Sequence, residues 1–174
     1  MKSIDKEILK LSVPNIISNI SVPLLSTVDS VLMGGLSLHH LAAIGVGSMI
    51  FNMVYWNFGF LRMGTTGMTA QSYGAGNEKQ TSVVMARGLL LALLIAIVIL
   101  LFAEHLLQAS LYLFNVEGDA LAIVRDYYEV RIWAAPATMA IYVLSGWLFG
   151  MQNALYPLAI TIILNVINLS LIHI

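Results

Sequence analysis

Between Lys10 and Arg62 the chain carries one Asp, Glu, Lys or Arg, and it is Asp29. The stretch around it, Pro14–Gly34 (PNIISNISVPLLSTVDSVLMG), is mostly apolar. A run of about twenty such residues is long enough to cross a bilayer as a helix. An ionised carboxylate near the centre of a bilayer costs about 2.5–3.5 kcal/mol on insertion scales. A chain keeps such a residue where it faces a bundle interior or a wet cavity. The same stretch holds Pro14, Pro23, Asn15, Asn19, Ser18, Ser21, Ser26, Thr27 and Ser30. Proline frees backbone carbonyls and allows a bend, and the polar side chains suit a cavity wall. Asp29 is therefore expected to form a cation or proton site on the first span of a transporter.

Composition supports a membrane solvent. The chain is 59% hydrophobic and 10% charged, and its mean hydropathy is +0.88. A soluble domain of this size carries far more charge. The net charge of -1 comes without a basic cluster, so no nucleic-acid partner is expected. Without cysteine, no disulfide, thiol or cysteine-held zinc is expected. The start, MKSIDKEILKLSVP, is too polar for a cleaved signal peptide. Residues 1–10 are expected to form a cytoplasmic amphipathic lead-in, with Ile4, Ile8 and Leu9 at helical spacing.

The fold class expected is an all-α membrane protein, a polytopic transmembrane helix bundle. Residues 11–172 divide into five spans, about 11–33, 41–73, 82–103, 123–151 and 156–172. The second is roughly 50 Å long at 1.5 Å per residue, so it is expected to tilt or project into water. Its small residues, among them Gly45, Gly47, Gly64 and Gly67, are expected to permit close helix contact. Gly74–Lys79 breaks the pattern, and Glu104–Gly118, with Tyr112 and Phe114, reads as interfacial. Lys2, Lys6 and Lys10 precede the first span, and Lys79 and Arg87 lie between the second and third. The intervening outer turns carry almost no Lys or Arg. A multi-pass plasma-membrane protein with a cytoplasmic N-terminus follows. Arg125 and Arg131 are the exceptions, placed at the outer end of the fourth span where Asp126 and Glu129 offer ion pairs.

The remaining signals have plain readings. His39-His40 is a polar turn, since adjacent histidines do not share a helix face. Gly74–Gly76 is a helix stop, with no strand or GxGxxG pattern to make it a nucleotide loop. Arg62 is an interfacial anchor or a lobe-packing residue rather than a substrate contact. Met33, Met49, Met53, Met63 and Met68 pack or meet lipid, or line an adaptable cavity. Tyr142, Trp147 and Gln152 fall on the fourth span or its end. No Ser/His/Asp set or paired carboxylates suit catalysis, so no enzyme activity is expected.

Three blocks carry a family resemblance. They are Pro14-x8-Pro23-x5-Asp29, LRMGTTGMTAQSYGAGN (61–77) and GWLFGMQNALYP (146–157). Over residues 5–168 the chain resembles the multidrug and toxic compound extrusion (MATE) family, and within it the DinF-like branch. The resemblance implies twelve spans in two six-helix lobes related by pseudo-two-fold symmetry. This chain would be a partial N-terminal lobe. It implies exchange of H+ or Na+ for organic, often cationic or amphiphilic, compounds, with no other cofactor. The partners implied are the lipid bilayer, a small organic substrate and the missing C-terminal part of a parent transporter. Asp29 would take the coupling cation, Na+ being the one metal implied. Pro14 would be the bend, and Asn165 and Asn168 the fifth-span asparagines; Arg62, apart from the resemblance, is read as a gating or lobe-packing residue. The family pattern has an aspartate four residues after Asn168, where this chain has Ile172. The closing LSLIHI is also what a transposase mosaic end encodes in this frame, so residues 169–174 are expected to be sequencing adapter. Two other functions fit such a chain. One is a lipid-linked oligosaccharide flippase of the same superfamily, whose cavity would need several Arg or Lys. The other is a non-transporting membrane interaction fragment.

Overall fold

A computed structural model describes residues 38–172, together with Leu9, Ser12, Val13, Ile16 and Ile17. Most of the first span expected over 11–33, including Pro14 and Asp29, lies outside the described residues. Those described form helices and no strand. In chain order they are α1 (Leu38–Trp56), α2 (Phe60–Gly74), α3 (Glu78–Leu101), α4 (Ala103–Leu113), α5 (Asp119–Arg131), a 3-10 turn (Ile132–Ala134), α6 (Ala135–Gly150) and α7 (Leu155–Ile172). Three segments among them are long and apolar enough to cross a membrane: Ala42–Gly74, Glu78–Leu101 and Ala120–Gly150. The protein is a multi-pass α-helical membrane protein.

Three helix ends share one device. At the end of α2 the Asn77 N–H donates to Ser72 O and the Gly76 N–H to Tyr73 O, with Gly76 at φ 68°. This is the paired 6→1 and 5→2 closure that ends many helices. Asn77 then opens α3 by accepting from the Gln80 N–H at 2.9 Å. The same pair of bonds ends α4 around Asn115 (φ 50°) and α6 around Gln152 (φ 60°). Only the first of these positions is a glycine.

Two of the expected spans are jointed. The segment over 41–73 is α1 and α2, joined at Asn57–Gly59 by i→i+3 bonds from Phe58 N to Tyr55 O and from Gly59 N to Trp56 O. Asn57 folds back, its side-chain N–H donating to Met53 O at 2.6 Å. In the segment over 123–151, Pro136 has no N–H to give to Ile132 O. The Ala135 N–H takes that carbonyl instead, which tightens 132–134 into a 3-10 turn between α5 and α6.

Helix α6 packs against both α2 and α3, and α1 packs against α5. An added Cβ at Gly146 would sit 2.5 Å from Arg62 O, and at Gly150 2.6 Å from Thr69 Cβ. One at Gly88 would sit 2.7 Å from Val143 Cγ1. Small residues one turn apart let helix backbones approach this closely. At Gly45, Gly64 and Gly67 no atom of the described residues lies within 4 Å of an added Cβ. Gly47 does pack, against the Tyr127 ring of α5. Beside it Phe51 stacks on Tyr128, with centroids 5.2 Å apart. The outward side chains of α3, Leu90, Leu94, Val98 and Leu101 among them, are exposed and apolar, as a lipid-facing surface requires. Its inward positions include Ala92 and Ala96, which bring α6 close.

Candidate functional site

A cavity lies where α1 turns into α2. Asn52, Met53, Tyr55, Trp56 and Asn57 line it from α1 and the turn, and Tyr142 from α6. Its volume is about 650 Å³. The turn builds this wall: ending α1 at Trp56 presents two amides and two aromatic rings within six consecutive residues. Such a lining holds a flat apolar ligand by ring contact and orients its polar groups by the amides. Of the residues singled out from sequence, Met53 and Tyr142 reach this cavity.

The other sequence-selected residues sit elsewhere. Arg62 lies on the α2–α6 seam, half-buried, with its guanidinium 5.0 Å from the centre of the Phe149 ring. Its carbonyl accepts the Thr66 hydroxyl at 2.8 Å. Trp147 is tied to α3, its indole N–H donating to Thr81 O at 3.0 Å. Asn165 and Asn168 both fall on α7, three residues apart and so on neighbouring positions of one side. Asp29 and Pro14 lie outside the described residues. Among the described residues no group of three His, Cys, Asp or Glu is placed to hold a metal.

Two charged arrangements were only partly legible. Arg125 reaches Glu104 on α4 at 3.2 Å as well as Glu129 at 3.7 Å. The Gln108 amide, donating to Glu104 at 3.1 Å, holds that carboxyl below its ordinary range, and Arg125 acts in the same direction. Glu104 is 21 positions from Arg125, so spacing within one helix could not reveal it. Arg131 lies 4.9 Å from the Phe51 ring centre and 5.3 Å from that of Tyr127. It also donates to the Tyr127 hydroxyl and to Ser48 Oγ. That cradle needs α1, so the fourth span alone gave no sign of it.

The MatE family profile matches residues 14–174. The chain belongs to the MatE family. Its MatE match starts at Pro14 and contains Asp29, Arg62, Asn165 and Asn168. The chain is 37% identical over 172 residues to "DNA damage-inducible protein F" of Escherichia coli (strain K12), covering 98% of this chain and 38% of that relative. It is 23% identical over 163 residues to "Probable multidrug resistance protein NorM" of Synechococcus sp., covering 94% and 35%. It is 29% identical over 167 residues to "Protein DETOXIFICATION 47, chloroplastic" of Arabidopsis thaliana, covering 94% and 30%. This MatE chain thus spans about a third of the length of the curated relatives it matches.

Proposed function

We propose that the chain forms part of a transporter that exports drugs or other toxic organic compounds in exchange for H+ or Na+. The observation that carries this is the MatE match together with relatives named for multidrug resistance and detoxification. The cavity of about 650 Å³ walled by Tyr55, Trp56, Tyr142 and two asparagines supports it, because its chemistry suits flat organic molecules. Asp29 takes the coupling cation, Asn165 and Asn168 stand beside it, and Pro14 is the bend that links cation release to helix movement. Arg62 holds the α2–α6 seam through Phe149. The N-terminus is cytoplasmic, and the protein is a carrier rather than an enzyme.

Asp29→Asn in the full-length protein tests this. An amide cannot release a proton and is a poorer ligand for a hard cation than a carboxylate. The variant should insert normally but lose ion-dependent efflux in a drug-sensitive host. Wild-type efflux by Asp29→Asn would remove Asp29 from the mechanism.

A further inference from the structure

A second cavity, about 380 Å³, opens between the α3–α4 corner and the junction of α5 with its 3-10 turn. Its lower wall is apolar, formed by Leu100, Leu101, Ile132 and Trp133. Its rim carries the Glu104 and Glu129 carboxylates. The two halves are tied together. The Tyr128 hydroxyl donates to Ala103 O at 2.9 Å, and Arg125 bridges Glu104 and Glu129. The proline-induced 3-10 turn sets Trp133 outward, 73% exposed, opposite Leu101 at 74%. Below this level α3 runs uncharged from Gly88 to Leu101; above it lie Glu104, Arg125, Asp126 and Glu129. A groove that is apolar below and charged above, with a tryptophan at the boundary, sits at the depth of lipid headgroups.

We propose that this groove holds one membrane phospholipid with an ethanolamine headgroup. Its ammonium lies between Glu104 and Glu129, its phosphate on Arg125, and an acyl chain along Leu101, Ile132 and Trp133. The charge pattern selects this headgroup. An anionic headgroup without an amine would bring its charge to two carboxylates against one guanidinium. A choline headgroup offers no N–H, whereas a primary ammonium offers three donors to the two carboxylates. Arg125 makes both ion-pair contacts through Nη1, so its other nitrogens are placed for a phosphate. The three charged side chains are 38–59% exposed, within reach of a headgroup in the hydrated interface. A volume of about 380 Å³ falls in the range of small-ligand sites. The proposal rests on the membrane placement of α3, α5 and α6 and is independent of whether the protein exports drugs.

The test uses the longest open reading frame that carries these residues, purified in detergent. It is offered equal amounts of phosphatidylethanolamine, phosphatidylcholine and phosphatidylglycerol with matched chains, and retained lipid is read by native mass spectrometry. One phosphatidylethanolamine should be retained about five-fold over either competitor, the discrimination that one partly exposed ion pair gives. Glu129→Gln and Arg125→Gln should each abolish the preference, and Glu117→Gln, in the α4–α5 loop, should keep it. Circular dichroism checks that the variants stay helical, and Glu104→Gln reads the same contact if one does not. Equal retention of the three lipids overturns the proposal. So does a preference for phosphatidylglycerol, or a phosphatidylethanolamine preference that survives all three rim substitutions. Displacement of phosphatidylethanolamine by equimolar dodecyltrimethylammonium would also overturn it, by making the groove an organic-cation site.

Discussion

Glycine 146 shows how little room single residues leave on this seam. A Cβ there would meet Arg62 O at 2.5 Å and Thr65 Cβ at 3.1 Å. The first obstacle is main chain and cannot swing aside. Gly146→Leu should therefore push α6 off α2, at the upper end of the roughly 1–3 kcal/mol that overpacking costs. Trp147, next in sequence, contributes differently: Trp147→Phe removes the hydrogen bond to Thr81 O and should cost about 0.5–1.5 kcal/mol. Gly64 is the control. Among the described residues nothing lies within 4 Å of its would-be Cβ, so Gly64→Ala should hold stability or raise it by about 0.4–1 kcal/mol. Unfolding of the three variants in graded denaturing detergent reads the order. If Gly146→Leu unfolds with wild type, the close seam is not a determinant of stability. Which glycines meet another described helix depends on that helix, which spacing within one span does not reveal.

At the scale of elements, Pro136 decides the shape of the fourth span. A 3-10 turn advances about 120° per residue against about 100° in an α-helix. Three residues of it therefore rotate α5 by roughly 60° relative to α6. That rotation sets Tyr128 on Phe51 and Trp133 outward. Pro136→Ala restores the donor to Ile132 O and should fuse α5 and α6 into one helix. Quenching of Trp133 by brominated lipid, in a background where Trp56 and Trp147 are phenylalanine, should change. Unchanged quenching would mean that packing of Ile132, which is 4% exposed, holds the turn by itself. The proline was visible in the sequence, but apolar length alone reads 123–151 as one rod. The break at 57–59 was hidden for the same reason, since it contains no proline and a single glycine. The stop at Gly74–Asn77 was legible because the Gly76 and Asn77 chemistry is local. The cavity wall was legible only in part. Tyr142 could be placed on the fourth span, but α6 is apolar all round, so periodicity could not say which way Tyr142 faces. Glu104 and Phe51 reach their arginines from other helices, and no pattern within α5 announces them.

At the scale of the whole molecule, an export cycle needs more chain than this. Many carriers place substrate and ion sites between two repeats and work by rocking one repeat against the other. The chain spans 38% of the length of its Escherichia coli relative, so a second repeat of that size cannot come from these residues. Polar side chains in lipid cost several kcal/mol each unless protein covers them. The sequence puts Asp29, Asn165 and Asn168 in apolar stretches, so each is expected to need such cover. The cavity by Asn52 and Tyr142 likewise needs a facing wall before it can open to either side in turn. The 174-residue chain expressed alone should therefore reach the membrane poorly and export nothing, while the longer reading frame that carries it should export. The comparison is direct in one efflux-deficient host, by accumulation of a fluorescent organic cation at two pH values and with and without sodium. Ion-dependent efflux from the 174-residue chain would show that these helices already form both sides of the pathway.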